Sequence, residues 1–212
     1  MTHFPLPKLY PITDARITGL SHAEQVARLS EGGATLVQLR EKHLSPREFY
    51  REAEAALRVA HERGVRLIIN DRVDIALALG ADGVHLGQDD LPPEAARELL
   101  GPDVIIGFST HNIDQAIGAA RLPVDYIAIG PIFATLSKEN PDPVVGIDGL
   151  RRVREQASHM PIVAIGGITE RNARSVIEAG ADAVAVISAL LREPSSITGR
   201  THEFIQFLSR DV

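Results

Sequence analysis

The sequence EAGADAVAV at residues 178–186 occurs in related form twice more, as ALGADGVHL at 78–86 and EGGATLVQL at 31–39. Each copy has a helix end, then glycine and alanine, then a short apolar run. Glycine after a helix can adopt the left-handed conformation that a Cβ opposes, so the chain turns directly into the next strand. The repeat therefore predicts successive helix-to-strand units with equivalent structures.

The same rhythm extends along the chain and gives eight strand-helix units. The predicted strands are residues 8–14, 36–40, 66–71, 83–87, 104–110, 126–130, 161–167 and 183–188, with helices such as 45–63 and 169–179 between them. Alternating strands and helices form a parallel sheet with right-handed crossovers, either closed or open. Eight units in 212 residues favour closure. The sequence predicts an α/β fold, a TIM (β/α)8 barrel, as a single domain over residues 1–212.

The amino-acid composition excludes several kinds of functional site and binding partner. The chain has 44% hydrophobic but only 4% aromatic residues, which suits a core of Val, Ile, Leu and Ala. It has no cysteine, which excludes disulfides, thiolate metal sites and cysteine nucleophiles. A net charge of -6 argues against nucleic-acid binding. No segment resembles a signal peptide or membrane span, so we expect a cytoplasmic protein without membrane partners. The sequence leaves a homo-oligomer open.

A basic segment, QLREK at residues 38–42, ends the second predicted strand. In a β/α barrel the ligand lies at the C-terminal ends of the strands. Strand alternation places Gln38 and Arg40 on one face, with Lys42 beyond them and Leu39 on the other face. Two cations there suit a phosphate or a pyrophosphate. The alternative is that Arg40 and Lys42 form structural salt bridges with Glu41 or neighbouring acids.

Two acidic residues follow adjacent strands. Asp71 and Asp90 end the third and fourth strands. Their carboxylates suit Mg²⁺, whose coordination shell is commonly completed by phosphate oxygens of the substrate. Asp89 has the same chemistry as Asp90. The alternative is helix capping, by Asp71 of a helix near Arg72 and by Asp90 of one that begins at residues 91–93.

The last two strands are followed by Gly166-Gly167 and by Ser188, a pattern typical of the phosphate site of β/α barrels. A tight turn that needs glycine only for its backbone angles is the alternative. Residues 131–145 are too long for an ordinary connection and predict a functional loop or lid, unless they are a surface insertion.

Two histidines lie among these positions. His85 is inside the fourth strand, where a packed or hydrogen-bonded role is the favoured interpretation. His111 follows the fifth strand and is the better candidate for chemistry. The sequence assigns neither of them a proton-transfer role.

Seven motifs, in order and on successive strand ends, resemble the thiamine-phosphate synthase family. They are QLREK at 38–42, IND at 69–71, GVHLGQDD at 83–90, STH at 109–111, GPIFATLSK at 130–138, AIGGI at 164–168 and VIS at 186–188. The resemblance implies a transferase that joins 4-amino-2-methyl-5-hydroxymethylpyrimidine pyrophosphate to 4-methyl-5-(2-phosphoethyl)thiazole, with thiamine phosphate and pyrophosphate as products.

The resemblance also implies site residues. It places the pyrimidine pyrophosphate on Gln38, Leu39, Arg40, Glu41, Lys42, Asn70, Ser109 and Lys138, and the cofactor Mg²⁺ on Asp71 and Asp90. It places the thiazole phosphate on Thr135, Leu136, Ser137, Gly167, Ile187 and Ser188. Arg40, Lys42 and Lys138 are the catalytic candidates. The loop departs from the family pattern Pro-Thr-x-Thr-Lys, because Ala134 and Ser137 replace its Pro and second Thr.

The chemistry that these groups imply is loss of pyrophosphate before the thiazole nitrogen attacks, since an aminopyrimidine can support a benzylic-type cation. Cations and Mg²⁺ would stabilise the leaving group. The first alternative is a thiazole tautomerase, an isomerase that needs neither the acid pair nor the basic cluster. The second is a non-catalytic barrel that binds a phosphorylated metabolite.

Overall fold

Eight parallel strands close into a barrel in the computed structural model, which describes residues 6–135 and 142–209. The strands are β1 (Leu9–Thr13), β2 (Leu36–Leu39), β3 (Arg66–Asn70), β4 (Gly83–Leu86), β5 (Ile105–Thr110), β6 (Tyr126–Ile129), β7 (Ile162–Ile165) and β8 (Ala183–Val186). Each strand pairs with its neighbour in sequence, and β8 returns to β1. The predicted TIM-barrel fold is confirmed.

Helices surround the barrel. They are α1 (Ala15–Thr18), α2 (His22–Glu31), α3 (Pro46–Glu62), α4 (Val73–Leu79), α5 (Pro93–Leu100), α6 (Ile113–Ala119), α7 (Gly146–Gln156), α8 (Glu170–Glu178), α9 (Ser188–Leu191) and α10 (Ile197–Ser209), with a 3₁₀ helix at Pro194–Ser196. Ser45 caps α3 through a capping box with Glu48, and Pro46 occupies the first turn. In the part of the chain that the structure describes, no helix combines the length and apolar character needed to cross a membrane.

The core has two layers. The larger packs the outward-facing strand residues, such as Val37 and Leu39, against the helices. The smaller fills the barrel interior and includes Tyr10, Ile68 and Tyr126. Because β-strand side chains alternate between faces, Gln38 points inward between Val37 and Leu39. This alternation therefore turns polar strand side chains such as Gln38 toward the barrel interior, at the end where the predicted site lies.

Aspartates at the N-terminal end of the barrel fasten alternate strands. Asp82, Asp125 and Asp182 immediately precede β4, β6 and β8, and their carboxylates accept backbone N–H groups of the preceding odd strands at 2.9, 2.8 and 2.7 Å. Arg97 also donates to Asp125, and Arg154 to Asp182. These groups lie at the end opposite to the predicted site, where polar residues serve stability.

Several strands end earlier than the sequence predicts. β3 ends at Asn70 because Asp71 has a φ of 63°, and β7 ends at Ile165 because Gly166 and Gly167 have φ values of 99° and 64°. Residue 188, predicted as the last of a strand, instead begins α9. Strand boundaries were wrong at these positions because the backbone reverses direction at the residues that carry the polar groups.

Candidate functional site

A cavity of about 620 Å³ opens at the C-terminal ends of the strands. Most of the predicted site residues that the structure describes line it. These are Gln38, Arg40, Lys42, Asn70, Asp71, Asp90, Ser109, Thr135, Gly167, Ile187 and Ser188. Leu136, Ser137 and Lys138 lie outside the described residues. The structure therefore brings together side chains that are far apart in the sequence, as the barrel topology predicts.

Leu39 and Glu41 are not among the residues that line the cavity. Leu39 is fully buried in the outer core. The Glu41 carboxylate accepts backbone N–H groups of His43 and Leu44 at 2.6 and 3.3 Å, and it lies 3.3 Å from Nε2 of His22. Both side chains support the basic segment from the side away from the cavity.

Glu41 belongs to a buried hydrogen-bonded group behind the basic segment. Nδ1 of His22 contacts the Thr13 hydroxyl at 2.7 Å, and that hydroxyl oxygen accepts the backbone N–H of Arg40 at 3.4 Å. Burial would raise the pKa of Glu41, but hydrogen bonds from His22 and two backbone N–H groups outweigh it and hold the pKa below its ordinary value. The group fixes the backbone from which Arg40 and Lys42 extend.

Both cations of the basic segment have acidic partners, and neither of these partners is Glu41. Nη1 of Arg40 lies 3.5 Å from the Asp14 carboxylate, and Lys42 pairs with Asp71. Side chains of both cations stay partly exposed to the cavity. Neighbouring acids thus hold the two cations at the cavity in the ligand-free protein.

Asp71 has the left-handed backbone conformation, which non-glycine residues seldom adopt, although Asp and Asn tolerate it best. Its N–H donates to the carbonyl of His85 at 2.8 Å, which ties the end of β3 to β4. The N-cap residue of α4 is Arg72, and its side chain makes no capping hydrogen bond. Asp71 therefore directs its carboxylate into the cavity and does not cap the helix.

Asp90 faces Asp71. Its Oδ2 accepts the Gly87 N–H at 2.6 Å, and α5 begins after Pro92 without a side-chain cap. Burial raises the pKa of Asp90, and the charge of Asp71 raises it further, against the lowering effect of the Gly87 hydrogen bond. Asp89 is exposed by comparison. The geometry therefore favours Asp90 over Asp89 as the partner of Asp71.

The acid pair fits a magnesium ion. A cation between two neighbouring carboxylates relieves their mutual repulsion, and Mg²⁺ needs few protein ligands when phosphate oxygens and water complete its shell. Within the described residues no group of three or more His, Cys, Asp or Glu could hold a metal. A site for Mg²⁺ here would thus depend on a phosphorylated ligand.

Gly166 and Gly167 follow β7 and contact the start of the loop after β6. Ile132 and Phe133 donate their N–H groups to the carbonyls of Ile165 and Gly166 at 2.9 and 3.0 Å. A Cβ on Gly167 would lie 2.6 Å from the carbonyl oxygen of Ala134. Because the two glycines have no side chain, the loop can pack against them, and Thr135 then lies at the edge of the cavity.

A row of hydrogen-bonded side chains crosses the interior beneath the cavity. It runs from Gln38 through Tyr10, Tyr126 and His85 to Ser109. Burial lowers the pKa of His85 to about 4, opposed by Asp90 and assisted by Lys42, so the ring is neutral at pH 7. The predicted hydrogen-bonded role of His85 agrees with this geometry. Tyr10 and Tyr126 were missed because no local sequence pattern pairs residues 116 positions apart.

His111 also lines the cavity, and its Nδ1 donates to the carbonyl of Gly130 at 3.1 Å and lies 3.4 Å from the Asp142 carboxylate. Gln88, which lies within the GVHLGQDD motif, and Arg192 also line the cavity, and no role was predicted for either of them. Gln88 donates to the carbonyl of Ser109 at 2.5 Å. Its position two residues after β4 was a usable signal, whereas Arg192 follows a helix that the sequence did not predict.

Comparison with known proteins agrees with this geometry. The thiamine monophosphate synthase family matches residues 9–190. A thiamine-phosphate synthase of Koribacter versatilis is 52% identical over 210 residues, which cover 96% of both chains. One from Chloroflexus aurantiacus is 49% identical and covers 87% of this chain and 85% of its own.

A solved structure described as thiamine phosphate pyrophosphorylase from Pyrococcus furiosus superposes with a TM-score of 0.84 at 38% identity, over 95% of both chains. The similarity thus includes every strand that contributes to the cavity. The chain belongs to the thiamine monophosphate synthase family and is a transferase of thiamine biosynthesis.

Proposed function

We propose that this protein condenses 4-amino-2-methyl-5-hydroxymethylpyrimidine pyrophosphate with 4-methyl-5-(2-phosphoethyl)thiazole, with release of pyrophosphate. The observation that carries the proposal is the convergence of Arg40, Lys42, Asp71 and Asp90 at one side of the cavity. Cations and a pair of acids in contact suit a diphosphate that arrives with Mg²⁺. A phosphate-free ligand would offer Arg40 and Lys42 no anionic group to bind.

The diphosphate would lie against the basic segment. Arg40 offers a planar pair of N–H donors, and Lys42 offers a mobile charge that can transfer from Asp71 to the ligand. Asp71 and Asp90 would hold Mg²⁺, which would neutralise charge on the departing pyrophosphate. Within the described residues, Nδ2 of Asn70 is buried and has no hydrogen-bond partner. This donor would bind an acceptor of the substrate.

The thiazole phosphate would lie at the other side, where Gly167, Ile187 and Ser188 line the cavity beside Thr135. Gly167 immediately precedes the residues that lead into α8, whose N-terminal N–H groups favour an anion. Leu136 and Ser137 continue this segment, and we propose that they complete the phosphate contacts. We propose Lys138 as a third cation beside the pyrophosphate.

No protein nucleophile is needed for this reaction. The C–O bond to pyrophosphate breaks first, the aminopyrimidine carries the positive charge, and the thiazole nitrogen then forms the new C–N bond. The protein holds the two substrates in one orientation and supplies fixed charges where negative charge develops. The long connection after β6 would exclude water that could trap the cation.

The test combines the protein with both substrates, with and without Mg²⁺, and measures thiamine phosphate and free pyrophosphate. The proposal predicts equal amounts of the two products, and only with Mg²⁺. Interconversion of thiazole isomers without consumption of the pyrimidine substrate would instead identify a tautomerase. Binding without turnover would identify a metabolite-binding barrel. The cytoplasmic location and the homo-oligomer stay predictions.

A further inference from the structure

The hydrogen-bonded row beneath the cavity ends in two residues that line it, Gln38 and Ser109. Nε2 of Gln38 lies 3.2 Å from the Tyr10 hydroxyl, and the hydroxyls of Tyr10 and Tyr126 are 2.9 Å apart. The Tyr126 hydroxyl is 2.9 Å from Nδ1 of His85, whose Nε2 is 2.8 Å from the Ser109 hydroxyl. The row therefore connects the β2 side of the cavity to the β5 side through the interior.

With the Gln38 amide nitrogen facing the Tyr10 hydroxyl, as in the structure, only one arrangement of protons satisfies every buried donor in this row. The amide nitrogen of Gln38 can only donate, so the Tyr10 oxygen accepts and its own proton passes to Tyr126. Tyr126 then donates to Nδ1 of the ring. A neutral imidazole with an accepting Nδ1 carries its proton on Nε2 and donates it to Ser109.

The opposite arrangement leaves a buried proton without an acceptor. If Nδ1 of His85 carried the proton, Tyr126 would accept it and donate to Tyr10. The Tyr10 oxygen would then accept from two sides, and its own proton would have no acceptor in the row. Tyr10 is only 1% exposed, so such a proton would be costly.

We propose that Tyr126 is a positioning residue, whose hydroxyl holds the His85 proton on Nε2 and so leaves the Ser109 hydroxyl free to donate into the cavity. Tyr126 touches no ligand in this account, since it is fully buried, and it acts through His85. The row then presents an acceptor at Gln38 and a donor at Ser109. A ligand with an N–H donor near one wall and an acceptor near the other matches both.

Two contacts hold Tyr126 in place. Its ring stacks on the His85 ring with centroids 5.5 Å apart and meets the Tyr10 ring edge-on at 5.9 Å. Gly107 of β5 makes room for it, because a Cβ there would lie 2.1 Å from Cζ of Tyr126. The hydroxyl is therefore fixed by packing, independently of a ligand.

The direct test is ¹⁵N NMR of the ligand-free protein, with His85 assigned by its loss in His85→Gln. The wild-type protein should show His85 as the neutral tautomer with the proton on Nε2. Tyr126→Phe should lose this preference, whereas Tyr10→Phe should retain it, because Tyr126 can still donate to the ring. A proton on Nδ1 in the wild type, or an unchanged tautomer in Tyr126→Phe, would overturn the proposal.

A kinetic test depends in addition on the proposed function. Tyr126→Phe should raise KM for the pyrimidine diphosphate about tenfold, the effect of one hydrogen bond, with kcat nearly unchanged. In a Ser109→Ala background the same change should have no further effect. If the effects of Tyr126→Phe and Ser109→Ala on KM add, Tyr126 has only a structural role. A protein without synthase activity would refute the proposed function and leave the NMR result to decide on Tyr126.

Discussion

The proposed metal site depends on individual carboxylates, and the backbone conformation of Asp71 determines where one of them lies. Its left-handed conformation costs energy that another turn residue would avoid. In return its carboxylate lies beside Asp90 and Lys42. Strained residues of this kind are typical of functional positions.

Asp71→Asn and Asp90→Asn should each raise the Mg²⁺ concentration for half-maximal rate about tenfold or more, since each removes one charged ligand. The fold should persist, because Asn tolerates the left-handed backbone and its oxygen can still accept the Gly87 N–H. Titration of the rate with Mg²⁺, together with thermal unfolding, measures both effects.

Asp89→Asn is the matched control for these two variants. Asp89 also lines the cavity, but it is more exposed than Asp90 and is not a proposed ligand, so its titration curve should stay close to that of the wild type. Unchanged Mg²⁺ dependence in both Asp71→Asn and Asp90→Asn would remove these residues from the metal site.

Among individual residues, the sequence predicted those site residues that lie at the ends of strands. The positions of Gln38, Asn70 and Ser109 at strand ends were enough to predict that these residues line one cavity. It was not enough to distinguish Asp89 from Asp90, because that depends on side-chain direction in a turn. The Tyr10 and Tyr126 contact crosses the barrel interior and has no local signature.

Connections between elements determine the shape of the cavity wall, and the glycines after β7 show this most clearly. Gly167 combines a φ of 64° with contacts to the loop that follows β6. The sequence predicted the glycine pair as a phosphate site. The packing of the loop against it was not predicted, because it requires the register of β6 and β7.

Gly167→Ala should raise KM for the thiazole phosphate at least about tenfold, because the new Cβ collides with the Ala134 carbonyl and displaces the loop. Gly64→Ala is the control: its φ is 67°, and a methyl group at this position would have no neighbouring atom within 4 Å. Both variants should lose about 1 kcal/mol of stability because of the positive φ, and Gly167→Ala should lose more because of the collision. Steady-state kinetics should separate them, and equal KM values would contradict the proposed role of the loop.

Glu41 stabilises the connection between β2 and α3 in a pH-dependent way. Its folded pKa lies below the ordinary value of 4.5, so its contribution is present above that value and is lost as the pH falls through the folded pKa. Glu41→Gln should therefore lose about 1 kcal/mol at pH 7, and the difference should disappear in acid.

Urea unfolding at pH 7 and at the lowest pH at which the protein still folds measures this difference. Glu54→Gln, an exposed change on α3, serves as the control and should show no such dependence. A Glu41→Gln deficit that is equally large at both pH values would show that packing, and not charge, accounts for it.

The whole barrel divides its polar residues between two ends. The C-terminal end has the cavity, and the N-terminal end has the aspartates that fasten alternate strands. The closed order of eight strands was predictable because the repeat of helix, glycine and apolar run is local. The terminal helices α9 and α10 were not predicted, since they follow the last repeat and pack on the barrel by tertiary contacts.

Asp125→Ala should destabilise the barrel by about 2 kcal/mol, because it removes the acceptor of the Ile106 N–H and of Nη2 of Arg97. KM and kcat should not change, since the site lies at the other end. Asp148→Ala is the control, because its side chain is 87% exposed in a surface ion pair, and such pairs contribute little. Chemical denaturation and kinetics on the same samples measure both quantities.

The central claim is that the acids and cations at one side of the cavity together bind a diphosphate with magnesium. Calorimetric titration of inorganic pyrophosphate into the protein tests it most directly, with and without Mg²⁺, in the wild type and in Asp71→Asn. Binding should strengthen markedly with Mg²⁺ in the wild type, and Asp71→Asn should lose that gain. Binding of equal strength in all four titrations would contradict the claim.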